Sequence, residues 1–199
     1  TVLLPAGSDP HAWVPTPRDL VALSGADLLL INGVGLEEGL IATLGTISGP
    51  QIVTVNENVA IHVEDDHADE GHADEGHADE EHTDEEHTDV EHAHEHSGGD
   101  PHTWQDVANV RIWAQNIASA FSALDSANQA AYVANANAYR TQLSALADEI
   151  AAMMDGIPAD ARKIVTDHDD LGYFARAYGF TVQGTIIPSI SAMASARND

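Results

Sequence analysis

Two pentapeptides carry the most specific chemistry in this chain: Asp9-Pro10-His11-Ala12-Trp13 and Asp100-Pro101-His102-Thr103-Trp104. Both read D-P-H-x-W, and chance repetition is improbable in a chain with only three Trp and eight Pro. Proline holds its own φ near −65° and drives the preceding Asp into an extended conformation. The Trp two positions beyond the His can bury a large apolar surface and anchor the loop. An imidazole fixed in this way suits a metal ion; a reused turn with a surface His is the plainer alternative. A third histidine, His168, follows the apolar run Lys163-Ile164-Val165-Thr166 at the point where a strand hands over to a helix, Asp169 to Tyr178. The positive end of that helix would keep the ring neutral, the form that binds metal.

Three neutral imidazole nitrogens with a fourth ligand suit tetrahedral Zn²⁺ at distances of about 2.0–2.1 Å. Spacing alone does not bring His11, His102 and His168 together, since 91 and 66 residues separate them. The more specific H-E-x-x-H helix is absent. Asp9, Asp100 and Asp167 each stand just before one of the histidines. Such a carboxylate either supports the ring by a hydrogen bond or closes an Asx turn, and sequence does not choose between the two.

Nine further histidines lie in one tract. His62, His67, His72, His77, His82, His87 and His92 recur with a period of five, Asp and Glu fill the gaps, and His94 and His96 follow. Five fits neither the helical nor the strand repeat. With almost no large apolar residues the tract cannot offset its ordering entropy, so residues 62–99 are expected to be a disordered loop ending in the hinge Ser97-Gly98-Gly99. Its composition is that of an auxiliary, weak metal-binding segment, which would raise the local metal concentration near a rigid site.

The formal net charge of the chain is −26, but residues 62–96 hold 16 acidic groups and no Lys or Arg. The balance still excludes nucleic acid, whose phosphates would be repelled. There is no Cys, so thiolate zinc sites, disulfides and thiol catalysis are excluded, and any metal must be held by His and carboxylate. No signal peptide or membrane-spanning run is visible, and the opening Thr1-Val2-Leu3-Leu4 without Met has the look of a mature or truncated piece.

The positioning elements follow from patterning. Val2–Leu4 reads as a short strand, Thr16-Pro17 as the start of a helix reaching about Ser24-Gly25, and Ala26 to Asn32 as a buried parallel strand. A helix at Glu37–Leu44 stopping at Gly45 and a strand at Gln51–Val55 complete an α/β layer, in which ligands sit beyond the carboxyl ends of strands. Thr103 is placed to cap a helix with the apolar stripe Val107, Val110, Trp113, Ile117, Phe121 and Leu124. Ser126 and Gln129 form a capping-box pattern before a helix of about thirty residues, with Tyr132, Ala136, Tyr139, Leu143, Leu146, Ile150 and Met153 on one face and Gly156 and Pro158 at its end. Such a rod, about 45 Å long, would act as a spine. Phe180–Ile187 starts a last strand. The expected organisation is α/β: an N-terminal lobe over 1–125, a linking spine over 126–157, and the start of a second, incomplete lobe over 158–199.

These motifs also carry a resemblance. D-P-H-x-W followed by Pro15-Thr16-Pro17-Arg18-Asp19-Leu20, then Ala26-Asp27-Leu28 to Asn32-Gly33, resembles the zinc-binding, ZnuA-like solute-binding proteins of metal ABC transporters. The second D-P-H-x-W, the tract before it, Thr166-Asp167-His168-Asp169 with Gly172-Tyr173-Phe174, and Tyr178-Gly179-Phe180 match as well, so the resemblance covers essentially the whole chain. It implies two parallel-sheet lobes flanked by helices and joined by a long rigid helix, with Zn²⁺ in the cleft between them on His11, His102 and His168. It implies a permease subunit as partner, a periplasmic or lipid-anchored extracytoplasmic location, a monomer, and the His-rich loop as metal collector. His168, where manganese-type members carry Glu, favours zinc over Mn²⁺, as do softer nitrogen ligands. The family starts with a further strand and helix and continues past residue 199 to a carboxylate at the fourth position; the site is accordingly expected to be three histidines with an open position and reduced affinity. No enzymatic activity is expected. The rivals are a zinc hydrolase, with Asp167 or Asp169 pressed into service as base, and a zinc buffer or adhesin not coupled to a transporter.

Overall fold

In the computed structural model the described residues are 2–4, 7–44, 49–63 and 99–186. Thr16 caps the first helix, α1 (Pro17–Ser24), in a reciprocal box: its hydroxyl accepts from the Asp19 N–H, and the Asp19 carboxylate accepts from the Thr16 N–H at 2.9 Å. With Pro17 in the first turn, helix initiation is fully specified within four residues. Strand β1 (Leu28–Ile31), helix α2 (Glu38–Leu44) and strand β2 (Gln51–Thr54) follow, and β1 pairs with β2 in parallel from Leu28 opposite Gln51 to Ile31 opposite Thr54. Leu23, Leu29, Ile31 and Leu40 form the buried cluster of this unit, with Leu3, Trp13, Leu20 and Leu44 packed around it. Trp13 thereby anchors the first histidine loop. A Cβ at Gly39 would meet the Trp13 carbonyl at 2.6 Å, so only glycine lets α2 approach that loop.

Helix α3 (Val107–Leu124) and helix α4 (Gln129–Met154) pack along each other, joined by a 3-10 turn at Ser126–Asn128. The 26 residues of α4 span about 39 Å at 1.5 Å per residue. Its apolar stripe is only partly covered: Ala136 and Leu143 are buried, whereas Tyr139, Leu146 and Met153 are exposed. Arg162 closes the far end. Its guanidinium donates to the carbonyls of Met154, Ile157 and Tyr178 at 2.9–3.0 Å, tying the end of α4 and the turn after it to the end of α5. Strand β3 (Lys163–Thr166) pairs in parallel with β4 (Thr181–Thr185) across helix α5 (Gly172–Tyr178), with a register shift between Ile164 and Val165. Gly179 ends α5 in the left-handed region at φ 72°. Two small parallel sheets, flanking helices and a long central helix make the α/β architecture that patterning predicts. No helix among the described residues is long and apolar enough to cross a membrane.

Four local expectations are corrected. Val2–Leu4 form no strand; Val2 is exposed and Leu3 packs sideways onto the core. Thr103 does not cap α3. It lies in a 3-10 turn over Thr103–Gln105 with its hydroxyl buried, and the Asp106 carboxylate caps instead, accepting from Ala108 N–H at 2.8 Å. The Ser126–Gln129 box is not made, because the 3-10 turn ties Asp125 to Asn128 and to the Tyr132 hydroxyl. Helix α5 begins at Gly172 rather than Asp169, since the Asp170 N–H turns back to the His168 carbonyl at 3.0 Å. His168 thus stands on a loop and not at a helix N-terminus. The helix stop at Gly45, the end of the last strand at Ile187, the Ser97-Gly98 hinge and residues 64–98 of the His-rich tract lie outside the described residues, while His62, at the start of the loop expected to be disordered, is placed by hydrogen bonds to Tyr173 and Asp100.

Candidate metal centre

Three loops converge on one point, and each is set by its own sequence. In the first, the Asp9 carboxylate accepts from the His11 backbone N–H at 3.0 Å, an Asx turn that orients the loop but leaves the ring free. In the second, one oxygen of Asp100 accepts from both the His102 backbone N–H, at 2.9 Å, and the ring Nδ1–H, at 2.7 Å. Of the two roles open to these aspartates, Asp9 plays one and Asp100 plays both. The third loop is pinned by the Thr166 hydroxyl and the Asp170 N–H, which both donate to the His168 carbonyl, and Asp167 lies 3.4 Å from the His168 Nδ1.

With Nδ1–H given to Asp100, the bare nitrogen of neutral His102 is Nε2. It lies 3.1 Å from His11 Nε2. One ring nitrogen from each of His11, His102 and His168 falls within 4.8 Å of the other two. Two nitrogens bound tetrahedrally to one zinc ion at about 2.0–2.1 Å would stand roughly 3.3 Å apart, a spacing that the His11–His102 pair, here within hydrogen-bond distance, already approaches. The chain therefore gathers all three predicted residues. His102 is buried at 5 % exposure, and its ring meets Trp104 edge-on at 5.2 Å, with Trp113 beyond. Burial, then the neighbouring His102, lowers the pKa of His11 below its ordinary value, with His168 acting in the same sense and Asp9 and Glu38 opposing. The neutral, metal-binding form is thereby favoured. A cavity of about 920 Å³ opens beside Trp13 and β1, but its lining is mainly apolar and includes none of the three histidines.

His62, the first residue of the periodic tract, does not join the trio. Its ring stacks on Tyr173 at 3.9 Å and 14°. Residues His67, His72, His77, His82, His87, His92, His94 and His96 lie outside the described residues.

Several residues that support the site escape motif analysis. Asn56 is buried between the sheet and α3: its Oδ1 accepts from Thr103 Oγ1 at 2.7 Å and Trp113 Nε1 at 2.6 Å, and its Nδ2 donates to the Asn32 carbonyl at 3.0 Å. Asn32 in turn donates to the Pro101 carbonyl at 3.1 Å, inside the second histidine loop. The Tyr173 hydroxyl donates to the Asp100 carbonyl and accepts from the His62 N–H, both at 3.0 Å. A lone Asn or Tyr in an apolar run has no spacing signature, although D-P-H marks the loop they hold. The two aspartates separate experimentally. Asp100→Asn should weaken metal binding about 10–100-fold by loosening the ring, whereas Asp9→Asn should change it less than about threefold; competition titration with a chromogenic chelator measures both.

Comparison with known proteins bears on the family and the fold. The profile of the family described as "Zinc-uptake complex component A periplasmic" (ZnuA) matches residues 1–198. The "Manganese-binding lipoprotein MntA" of Halalkalibacterium halodurans is 31% identical over 185 residues, covering 92% of this chain and 52% of the relative. The "Zinc-binding protein TroA" of Treponema pallidum is 28% identical over 200 residues, covering 98% of this chain and 55% of the relative. The chain thus spans about half the length of these curated relatives. Among solved structures, a Mn-bound periplasmic metal binding protein from candidatus liberibacter asiaticus aligns with a TM-score of 0.72 at 27% identity, over 98% of this chain and 65% of that one. A crystal structure titled ZnuA aligns at a TM-score of 0.70 and 24% identity, over 100% of this chain and 67% of that one, which supports the fold alone. With its repeated histidine loops, its long central helix and a match that runs nearly end to end, the chain belongs to the ZnuA family of metal ABC transporter substrate-binding proteins, a family of binding components rather than enzymes.

Proposed function

We propose that this chain is the metal-capturing part of an extracytoplasmic solute-binding protein, which holds a divalent transition-metal ion on His11, His102 and His168 and passes it to the permease of an ABC importer. The observation that carries this is the approach of three imidazole nitrogens to within 4.8 Å of one another. Relatives are named for manganese and for zinc alike. Zinc is the preferred cargo here, because an all-imidazole donor set suits Zn²⁺ better than Mn²⁺. Residues 1–125 would form one lobe, 126–157 the connecting spine and 158–199 the beginning of the other, with metal between them. The His-rich tract would collect ions for the central site. A stiff spine favours release by local rearrangement of the loops over wide closure.

Isothermal titration with Zn²⁺ and Mn²⁺ tests the reading. The intact chain should bind one Zn²⁺ more tightly than the remaining equivalents, and more tightly than Mn²⁺. His11→Ala should weaken that one event at least about tenfold while leaving the weaker tract binding in place. Affinity should also fall as pH drops through the histidine range, since protons compete for the same nitrogens. Because the pKa of His11 is lowered, His11 itself resists that competition to lower pH than an ordinary histidine. Tight binding unaffected by His11→Ala would overturn the assignment.

A further inference from the structure

Among the described residues His62 is the only histidine of the periodic tract, and its placement is not that of a loose collector of ions. Its ring lies nearly flat on the Tyr173 ring, with centroids 3.9 Å apart and planes 14° from parallel. Its main chain is held at both ends: the N–H donates to the Tyr173 hydroxyl at 3.0 Å, and the carbonyl accepts from the Asp100 N–H at 2.7 Å. The same hydroxyl donates to the Asp100 carbonyl at 3.0 Å, so the phenol acts as acceptor and donor at once. Tyr173 is buried at 2 % exposure. A Cβ at Gly172 would press on Asp100 Oδ2 at 3.0 Å, so the start of α5 lies directly against the second histidine loop. Three segments remote in sequence thus meet on one side chain.

We propose that Tyr173, braced by the His62 ring, is a positioning residue that sets the spacing of His168 against His102. His62 on this view serves the central site from a distance, as a clasp, and does not collect ions. The proposal rests on the three-histidine reading above. Tyr173 stands five residues beyond His168, and Asp100 two before His102. The Asp100 carboxylate holds both the His102 backbone N–H and its ring, so moving Asp100 moves the imidazole. The third loop is otherwise tied within itself, through the His168 carbonyl. Among the described residues no hydrogen bond other than those of Tyr173 joins residues 163–180 to either earlier histidine loop. The His102 and His168 rings, 5.3 Å apart at 65°, take their separation from that link. Stacking on His62 covers the phenol and restricts where its hydroxyl can point.

The test uses the full chain with Zn²⁺ alone as probe, read by competition against a chelator, and thermal melts of the metal-free protein. Tyr173→Phe, which removes one oxygen and keeps the ring, should weaken the tight Zn²⁺ event about 10–100-fold in a protein that still folds without metal. In a His102→Ala background the same change should cost less than about threefold, because the spacing it sets no longer matters. His62→Ala keeps the main-chain bonds but uncovers the phenol, and should weaken the tight event by a smaller factor than Tyr173→Phe. His62→Phe, a flat ring with no nitrogen, should restore parent affinity and leave the number of weaker Zn²⁺ equivalents unchanged. Parent affinity in Tyr173→Phe overturns the proposal, as does an equal loss in both backgrounds, which is what a purely stabilising role would give. A His62→Phe protein that lacks one weak equivalent, or binds as poorly as His62→Ala, overturns the part given to His62. Should Tyr173→Phe melt too low to titrate, the two His62 variants still decide. If His102→Ala alone leaves tight binding intact, the three-histidine reading has failed instead.

Discussion

His102→Ala should cost two to three orders of magnitude in Zn²⁺ affinity, more than the loss of either of the other two imidazoles. Structural zinc sites release about 10–16 kcal/mol on binding, so one ligand among three or four carries roughly 3–4 kcal/mol. His102 should stand at the upper end because its Nε2 is the best prepared of the three. The Asp100 carboxylate fixes its tautomer, Trp104 lies against its ring, and at 5 % exposure no water can slip into its place. His11 and His168 are half-buried, and there a water molecule can substitute for part of what is lost. Competition against a chelator of known affinity measures the loss, with circular dichroism to establish that the variant folds. An affinity within tenfold of the parent in a folded His102→Ala protein would mean that the ion is held elsewhere.

The second large effect is on stability. Asn56→Leu should destabilise the chain by about 3–5 kcal/mol, since it strands the Thr103 hydroxyl, the Trp113 N–H and the Asn32 carbonyl in the interior at about 1–3 kcal/mol each, less some relaxation. For a chain of this size that corresponds to a melting temperature lower by roughly 10 °C. Trp113→Phe, which removes one donor and trims the indole to a phenyl ring, should cost less, about 1–3 kcal/mol. A shift below about 2 °C for Asn56→Leu in a thermal melt would show that the network carries no net stability. The metal site should weaken alongside, because Thr103 and the Pro101 carbonyl, both tied into this network, flank His102 on the same loop.

Much of this was legible in the chain. The duplicated D-P-H-x-W announced two constrained imidazoles, the Thr16-Pro17-Asp19 start was realised as a capping box, and the strands at 28–31, 51–54 and 163–166 fell where the apolar runs placed them. What sequence could not supply was convergence: no periodicity links residues 11, 102 and 168, and the packing of α5 against the 3-10 turn at Thr103–Gln105, with the Tyr173 hydroxyl on the Asp100 carbonyl, brings the third loop to the second. The local misses share a cause. Thr103 and Ser126 both precede residues that pattern as helix, but each sits in a 3-10 turn, where the capping hydrogen bond goes to an adjacent aspartate or is not made. Asn56 and Tyr173 were invisible as support because their importance lies in partners remote in sequence, at separations of up to 111 residues. The α4 stripe falls on one face as its spacing placed it, and α3 covers only part of it, leaving Tyr139, Leu146 and Met153 exposed.

The His62–Tyr173–Asp100 junction has a consequence for how this chain can vary. The His62 carbonyl accepts from the Asp100 N–H at 2.7 Å, and a Cβ at Gly99 would overlap that same carbonyl, so the backbone leaves and returns through one stitched seam. Closing an excursion between two fixed points costs entropy that grows only with the logarithm of its length, about 0.6 kcal/mol for each doubling. Copies of the five-residue unit can thus be gained or lost beyond the seam at almost no thermodynamic penalty to the imidazole trio. The two ends of that excursion are held by Gly99, Asp100 and Tyr173, not by anything within the repeats.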